Sequence, residues 1–208
     1  MNSDVSPKIY VPLLLAVGAL LFVVFNFRIE ISDWWYFSRY KPDQRISKLA
    51  DDAGFTDNGE RLFFRADPEV VSQTELDAQC VNIESLGCII EGPKTYIRNF
   101  ESFGSEYDQA VVTAAHEMLH LAYFRLSDDE KTEVNELLNT EFTQLRDQAV
   151  IGRITSYDQQ EQLDEMHSII GTETAAVSDA LEEYYSQYFE DNRAQVRSAY
   201  DNSKQLLQ

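Results

Sequence analysis

The amino-acid sequence predicts an α+β fold, mostly helical with a small β-sheet, preceded by one N-terminal transmembrane helix. Three observations carry this expectation. Residues 9–27, "IYVPLLLAVGALLFVVFNF", form an uncharged run of 19, long enough to cross a bilayer as a helix. Apolar residues recur at helical spacing through most of the chain after residue 104. Between these regions, "RLFFRA" and "CIIEGPKTYIRNF" gather β-branched and aromatic residues around a Gly-Pro breaker, as strands do. With 208 residues and 44% hydrophobic content, the chain has room for one packed domain and one extra element.

The elements follow in order. Residues 1–8 are a short tail, and Lys8 and Arg28 bracket the span at 9–27. A cleavable signal peptide would have a shorter apolar core ending in small residues, and "VVFNFRIE" offers no such site. Pro12 falls in the first turn of the span, where it is tolerated. Residues 28–42 read as a juxtamembrane linker whose Trp34, Trp35 and Tyr36 favour the headgroup level. A soluble domain at 43–208 follows. It opens with a helix from Pro42 to Ala53, stopped by Gly54. "RLFFRA" and "CIIEGPKTYIRNF" are its expected strands.

The run "DQAVVTAAHEMLHLAYFRL" has no Gly or Pro after Asp108 and predicts a helix over about 108–125. Ser127 and Glu130 form a capping box that opens a helix carrying Val134, Leu137, Leu138, Phe142 and Leu145. Ser156 and Gln159 form another, with Gly171 as a stop, giving a helix at 157–170 with an apolar stripe of Leu163, Met166 and Ile170. "SDALEEYYSQYFED" repeats the helical pattern through Leu181, Tyr184, Tyr185, Tyr188 and Phe189, an aromatic stripe of the kind that packs a core.

Charge narrows the partners. Seventeen basic against 36 acidic side chains give a net charge of −19, which disfavours nucleic acid, and the dispersed acids read as a solvated surface. Counting Lys8 against Arg28, Arg39, Lys41 and Arg45 favours a cytoplasmic domain. Cys80 and Cys88 argue the other way. A lone pair of cysteines close in sequence, without C-x-x-C spacing, suits a disulfide in an oxidising compartment, so the domain is expected on the extracytoplasmic side of the cell membrane.

The chemistry concentrates in "AAHEMLHLAY". The chain has three histidines, and two of them, His116 and His120, stand four apart on the expected helix and so share one face. Two imidazoles one turn apart can bind the same zinc ion, and Glu117 between them is placed as general base. A catalytic zinc needs a third protein ligand. The candidates are in "DEMHSIIGTE": His167, on the apolar stripe and so pointing inward, and Glu173, just beyond the glycine. One would be the ligand and the other a supporting partner or transition-state stabiliser. Glu165, on the polar side of the stripe, is a third candidate. The plain alternative is a pair of satisfied core histidines.

With these residues the chain resembles a zincin metallopeptidase, with "HEMLH" as its H-E-x-x-H element. The resemblance implies a Zn²⁺ cofactor, a zincin-like fold at 43–208 and hydrolysis of a peptide or protein substrate. A downstream glutamate is similar in role to the third ligand of gluzincins. Their Asn-Glu-x-x-Ser/Ala-Asp element is absent, and Glu165 with Ser168 matches it in part. "HSIIGTE" is similar to the Gly-Thr-x-Asp element of aspzincins, with Glu173 one position earlier than their aspartate. The combination of anchor, "LGC", "AAHEMLH" and "MHSIIGTE" resembles small membrane-anchored bacterial proteins. By the same resemblance, Thr95 to Arg98 would be a sheet edge that pairs with extended substrate; otherwise it is ordinary core strand. Two other functions stay open: a membrane-anchored interaction or structural protein whose zinc shell is closed by both His167 and Glu173, and a metal-free scaffold.

Overall fold

The computed structural model of the chain describes residues 7–80, 86–90, 94–100 and 104–204. The chain divides into two units, Met1–Lys41 and Pro42–Gln208.

The first unit holds two helices, α1 (Pro7–Asn26) and α2 (Arg28–Phe37), parted at Phe27 (φ −110°, ψ 23°). The sequence reading gave residues 28–42 as linker. Ten of them are helical instead, since "RIEISDWWYF" contains neither Gly nor Pro. α1 is 20 residues long. The sequence reading expected a transmembrane span at 9–27, but among the described residues no helix is long and apolar enough to cross a membrane.

The second unit is mostly helical with one small sheet. α3 (Gln44–Ala53) is capped by the Asp43 side chain and ends at Gly54 in the left-handed conformation (φ 68°), as its sequence suggests. α4 (Asp57–Arg65) corrects an expectation, because "RLFFRA" is helix and not strand. Thr56 caps its start, Asp57 and Glu60 complement the helix dipole in the first turn and Arg65 does so in the last. Helix ends of that quality, with Leu62, Phe63 and Phe64 buried, outweigh the strand preference of two phenylalanines.

The sheet has three strands in the order β1 (Glu69–Val71), β3 (Lys94–Arg98), β2 (Gly87–Ile90). β3 is parallel to β1 and antiparallel to β2, with Tyr96 opposite both Glu69 and Cys88. The two strands expected in "CIIEGPKTYIRNF" are therefore present, while the Gly-Pro breaker lies outside the described residues. Thr95 to Arg98 is not an edge, because β3 is paired on both sides. β2 is the edge nearer the helices. A disulfide joins Cys88 of β2 to Cys80 at the end of α5 (Gln73–Gln79). Closing so short a loop stabilises the fold by about 2–3 kcal/mol.

α6 (Ser105–Arg125) is the central helix, packed by α3, α4, the sheet and two later helices, α9 (Gln162–Glu173) and α11 (Ala194–Ser203). It buries residues on every side, from Ala110 and Val111 through Met118 and Leu119 to Ala122. α7 (Asp128–Gln144) starts with the expected Ser127–Glu130 capping box and buries Val134 and Leu138. The box expected at Ser156 and Gln159 does not form. Ser156 ends α8 (Gln148–Ser156), its hydroxyl donates to the Arg153 carbonyl, and Asp158 accepts from the Gln160 and Glu161 amides instead. α9 therefore starts later and runs through Gly171 to Glu173.

Gly171 does not stop the helix; it lets α9 approach closely. A Cβ there would lie 2.4 Å from Leu119 Cδ1 and 2.9 Å from the Tyr185 ring, both fully buried. Gly171→Val is expected to destabilise the chain by about 3 kcal/mol through overpacking, read as a lowered denaturation midpoint with an unchanged slope. The end of α9 is held by Arg193, a fully buried residue with φ 60° that ends a 3₁₀ turn (Asp191–Arg193) after α10 (Asp179–Tyr185). Its guanidinium donates to the Ile170 and Gly171 carbonyls and pairs with Glu182 at 2.7 Å. The otherwise unpaired carbonyls of the helix end are satisfied in this way.

Candidate metal centre

α6 and α9 are the most intimately packed helix pair, and the candidate site lies on their shared face. His116 and His120, one turn apart on α6, approach with their Nε2 atoms 3.1 Å apart. Glu165, near the start of α9, brings Oε2 to 3.5 Å from His116 Nε2 and Oε1 to 3.7 Å from His120 Nε2. Zinc ligands at about 2.0–2.2 Å in a tetrahedron stand about 3.3–3.6 Å from one another, so the three donors fit one ion. Glu165 Oε2 is buried without a hydrogen-bond partner, as a ligand atom awaiting a cation would be. The three side chains keep 16%, 11% and 17% of their surface.

Asp164 supports the histidine pair. Its Oδ1 lies 2.9 Å from His120 Nδ1, an ion-pair contact outside hydrogen-bond geometry, and the carboxylate favours a proton on that nitrogen, which leaves the Nε2 lone pair for a ligand. Glu117 is 5% exposed and sits under β2, where a Cβ on Gly87 would lie 3.4 Å from its Oε1. Burial pushes the Glu117 carboxyl up to about 7. The Tyr157 phenol stands beside Glu165; burial and that carboxylate raise it to about 12.

Two of the expected ligands are elsewhere. His167 is fully buried, its Nε2 is 2.9 Å from the Tyr184 hydroxyl, and its ring lies among Tyr123, Tyr184 and Tyr185. Burial pushes it down to about 3, so it is a neutral core histidine. Glu173 is the last residue of α9, buried and ion-paired with Arg153. Helix geometry explains the difference. His167 is two positions from Glu165 and so points about 200° away, and Glu173 is about 12 Å further along the axis. His167 on the apolar stripe does point inward, but α9 is buried on nearly all sides from Met166 onward, so the stripe does not mark the face toward the ion, and the polar side packs on α6. Asp164 and Tyr157 were not anticipated. The signal for Glu165 was its partial match, with Ser168, to the gluzincin element.

In the metal-free protein the two histidines are pushed in opposite directions. Burial pushes His116 down to about 4. Burial also pulls on His120, but Asp164, Glu117 and Glu165 outweigh it and raise His120 to about 9. Zinc must displace the His120 proton at pH 7, so its affinity is expected to climb about tenfold per pH unit up to about 9. Titrations at several pH values check this. Asp164→Asn should flatten the slope and weaken binding by about 10–100-fold.

No family model, no curated protein and no solved structure matches the chain.

Proposed function

We propose that the chain is a membrane-anchored zinc metallopeptidase that hydrolyses peptide bonds. The observation that carries this reading is the convergence of His116 Nε2, His120 Nε2 and the Glu165 carboxylate on one point, with the Glu117 carboxyl close enough to respond to the charges of His120 and Glu165. Zinc held there would supply Lewis acidity, polarising the scissile carbonyl and lowering the pKa of the attacking water. Glu117, with a carboxyl raised to about 7, accepts the proton of that water and returns it to the leaving amine. Tyr157, protonated at neutral pH, can donate to the oxygen on which negative charge develops. Asp164 keeps His120 in its ligating orientation.

Ligand count favours a catalytic over a closed structural ion. His116, His120 and Glu165 are the one three-member cluster of ligand type among the described residues, which leaves a fourth position for water. The closed alternative needed both His167 and Glu173, and each has another partner. α1, about 30 Å at 1.5 Å per residue, serves as the anchor in this reading, and the disulfide favours an extracytoplasmic domain.

The test is elemental analysis of the full chain purified in detergent, followed by incubation with a peptide library. About one zinc per chain and chelator-sensitive cleavage are expected. A chain that takes up no zinc would overturn the reading, and a zinc-loaded chain that cleaves nothing would restore the structural alternative.

A further inference from the structure

The segment after α1 carries an exposed apolar stripe that the proposed hydrolytic site does not use. Phe27, Ile31, Trp34 and Trp35 are 50%, 47%, 72% and 54% exposed. Ile31, Trp34 and Trp35 stand at positions i, i+3 and i+4, one face of α2, and Phe27 precedes them at the helix cap. Arg28 flanks this face and Asp33 falls behind it. Tyr36 also falls behind it, stacked on Tyr40 at 4.9 Å, so the aromatic run "WWYF" is divided: two indoles face outward and the tyrosine packs within the segment. The Arg39 guanidinium lies 4.2 Å over the Trp35 ring, which sets a cation at the rim of the stripe.

We propose that the Phe27, Ile31, Trp34 and Trp35 face of α2 is a lipid-binding surface that docks in the headgroup region of a bilayer containing anionic phospholipid. The inference rests on the reading of α1 as an anchor. Two features select lipid as the occupant. The stripe continues the exposed apolar surface of α1, where Leu14, Leu15, Leu20 and Leu21 are 62–70% exposed, so one occupant covers both. The segment is slightly basic within an acidic protein: residues 27–42 carry Arg28, Arg39 and Lys41 against Glu30 and Asp33, a net charge of +1 in a chain of net charge −19. Indole rings favour this depth because one side is apolar and the N–H needs a polar partner. Lysine and arginine beside them are drawn to phosphate.

Trp34 and Trp35 are the only tryptophans in the chain, so tryptophan fluorescence, excited selectively over the tyrosines, reports on this face. The full chain is reconstituted in phosphatidylcholine–phosphatidylglycerol vesicles and floated after an alkaline wash. Flotation, blue-shifted emission, quenching by lipids brominated near the glycerol end of the acyl chain, and protection from aqueous acrylamide are expected. Ile31→Glu should restore acrylamide quenching without preventing flotation. Flotation with emission as open to acrylamide as free tryptophan would overturn the lipid surface while keeping the anchor. Protection from acrylamide without quenching by brominated lipid would assign the face to a second copy of the chain. A chain that fails to float would remove the anchor and this surface together.

Discussion

Glu117→Gln is expected to bind zinc as the parent chain does while losing peptide hydrolysis by about 10²–10⁴-fold, the usual worth of a general base. The substitution keeps the shape of the side chain and removes its ability to carry a proton. Glu117 sits next to a ligand in sequence but outside the cluster formed by His116, His120 and Glu165, so the ion keeps its three protein donors. The fold should gain from the change. The Glu117 carboxyl is raised to about 7, so in the metal-free protein its ionisation works against folding. That penalty is absent below the unfolded carboxyl's ordinary pKa and is complete above about 7. Metal-free E117Q should therefore unfold at a higher denaturant midpoint than the metal-free parent at pH 8, and at a similar one at pH 4. The assay is library cleavage at equal zinc occupancy; equal rates for parent and variant would sink the assignment of Glu117 as base.

The legible parts of this fold were those written in local chemistry. Gly54 ended α3 and the Ser127–Glu130 box opened α7, because caps act within a few residues. The pair His116 and His120 was legible for the same reason: a spacing of four is itself a statement about geometry. "RLFFRA" was misread because strand preference and helix capping pointed in different directions, and the Thr56 cap with its acidic first turn decided the outcome. β1 was missed because three residues carry no periodicity to read. The third donor was misassigned for a tertiary reason. An apolar stripe shows which face of a helix is buried only if the other face is wet, and α9 is enclosed on both. Nothing local marks Glu165 as facing α6; that depends on Gly171 letting α9 settle against Leu119 and on Arg193 holding its far end.

Glu165→Ala is expected to weaken zinc binding by more than about 100-fold, beyond the 10–100-fold that loss of a supporting partner typically causes. The expectation follows from what is left behind. His116 and His120 alone give two nitrogens 3.1 Å apart with no anionic donor, and the raised His120 keeps its proton against so weak a competitor. Glu173→Gln and His167→Gln are the controls that make the result specific. Glu173→Gln loses its charge pair with Arg153, but that arginine is half-exposed and returns to water, so the cost is about 1–2 kcal/mol of stability and no zinc. His167→Gln disturbs the hydrogen bond with Tyr184 in the core and lowers the denaturation midpoint, again with about one zinc retained. Zinc per folded chain, measured for all three variants after gel filtration, separates the possibilities. If Glu165→Ala keeps its zinc while Glu173→Gln or His167→Gln loses it, the donor set read from the α6–α9 face is wrong.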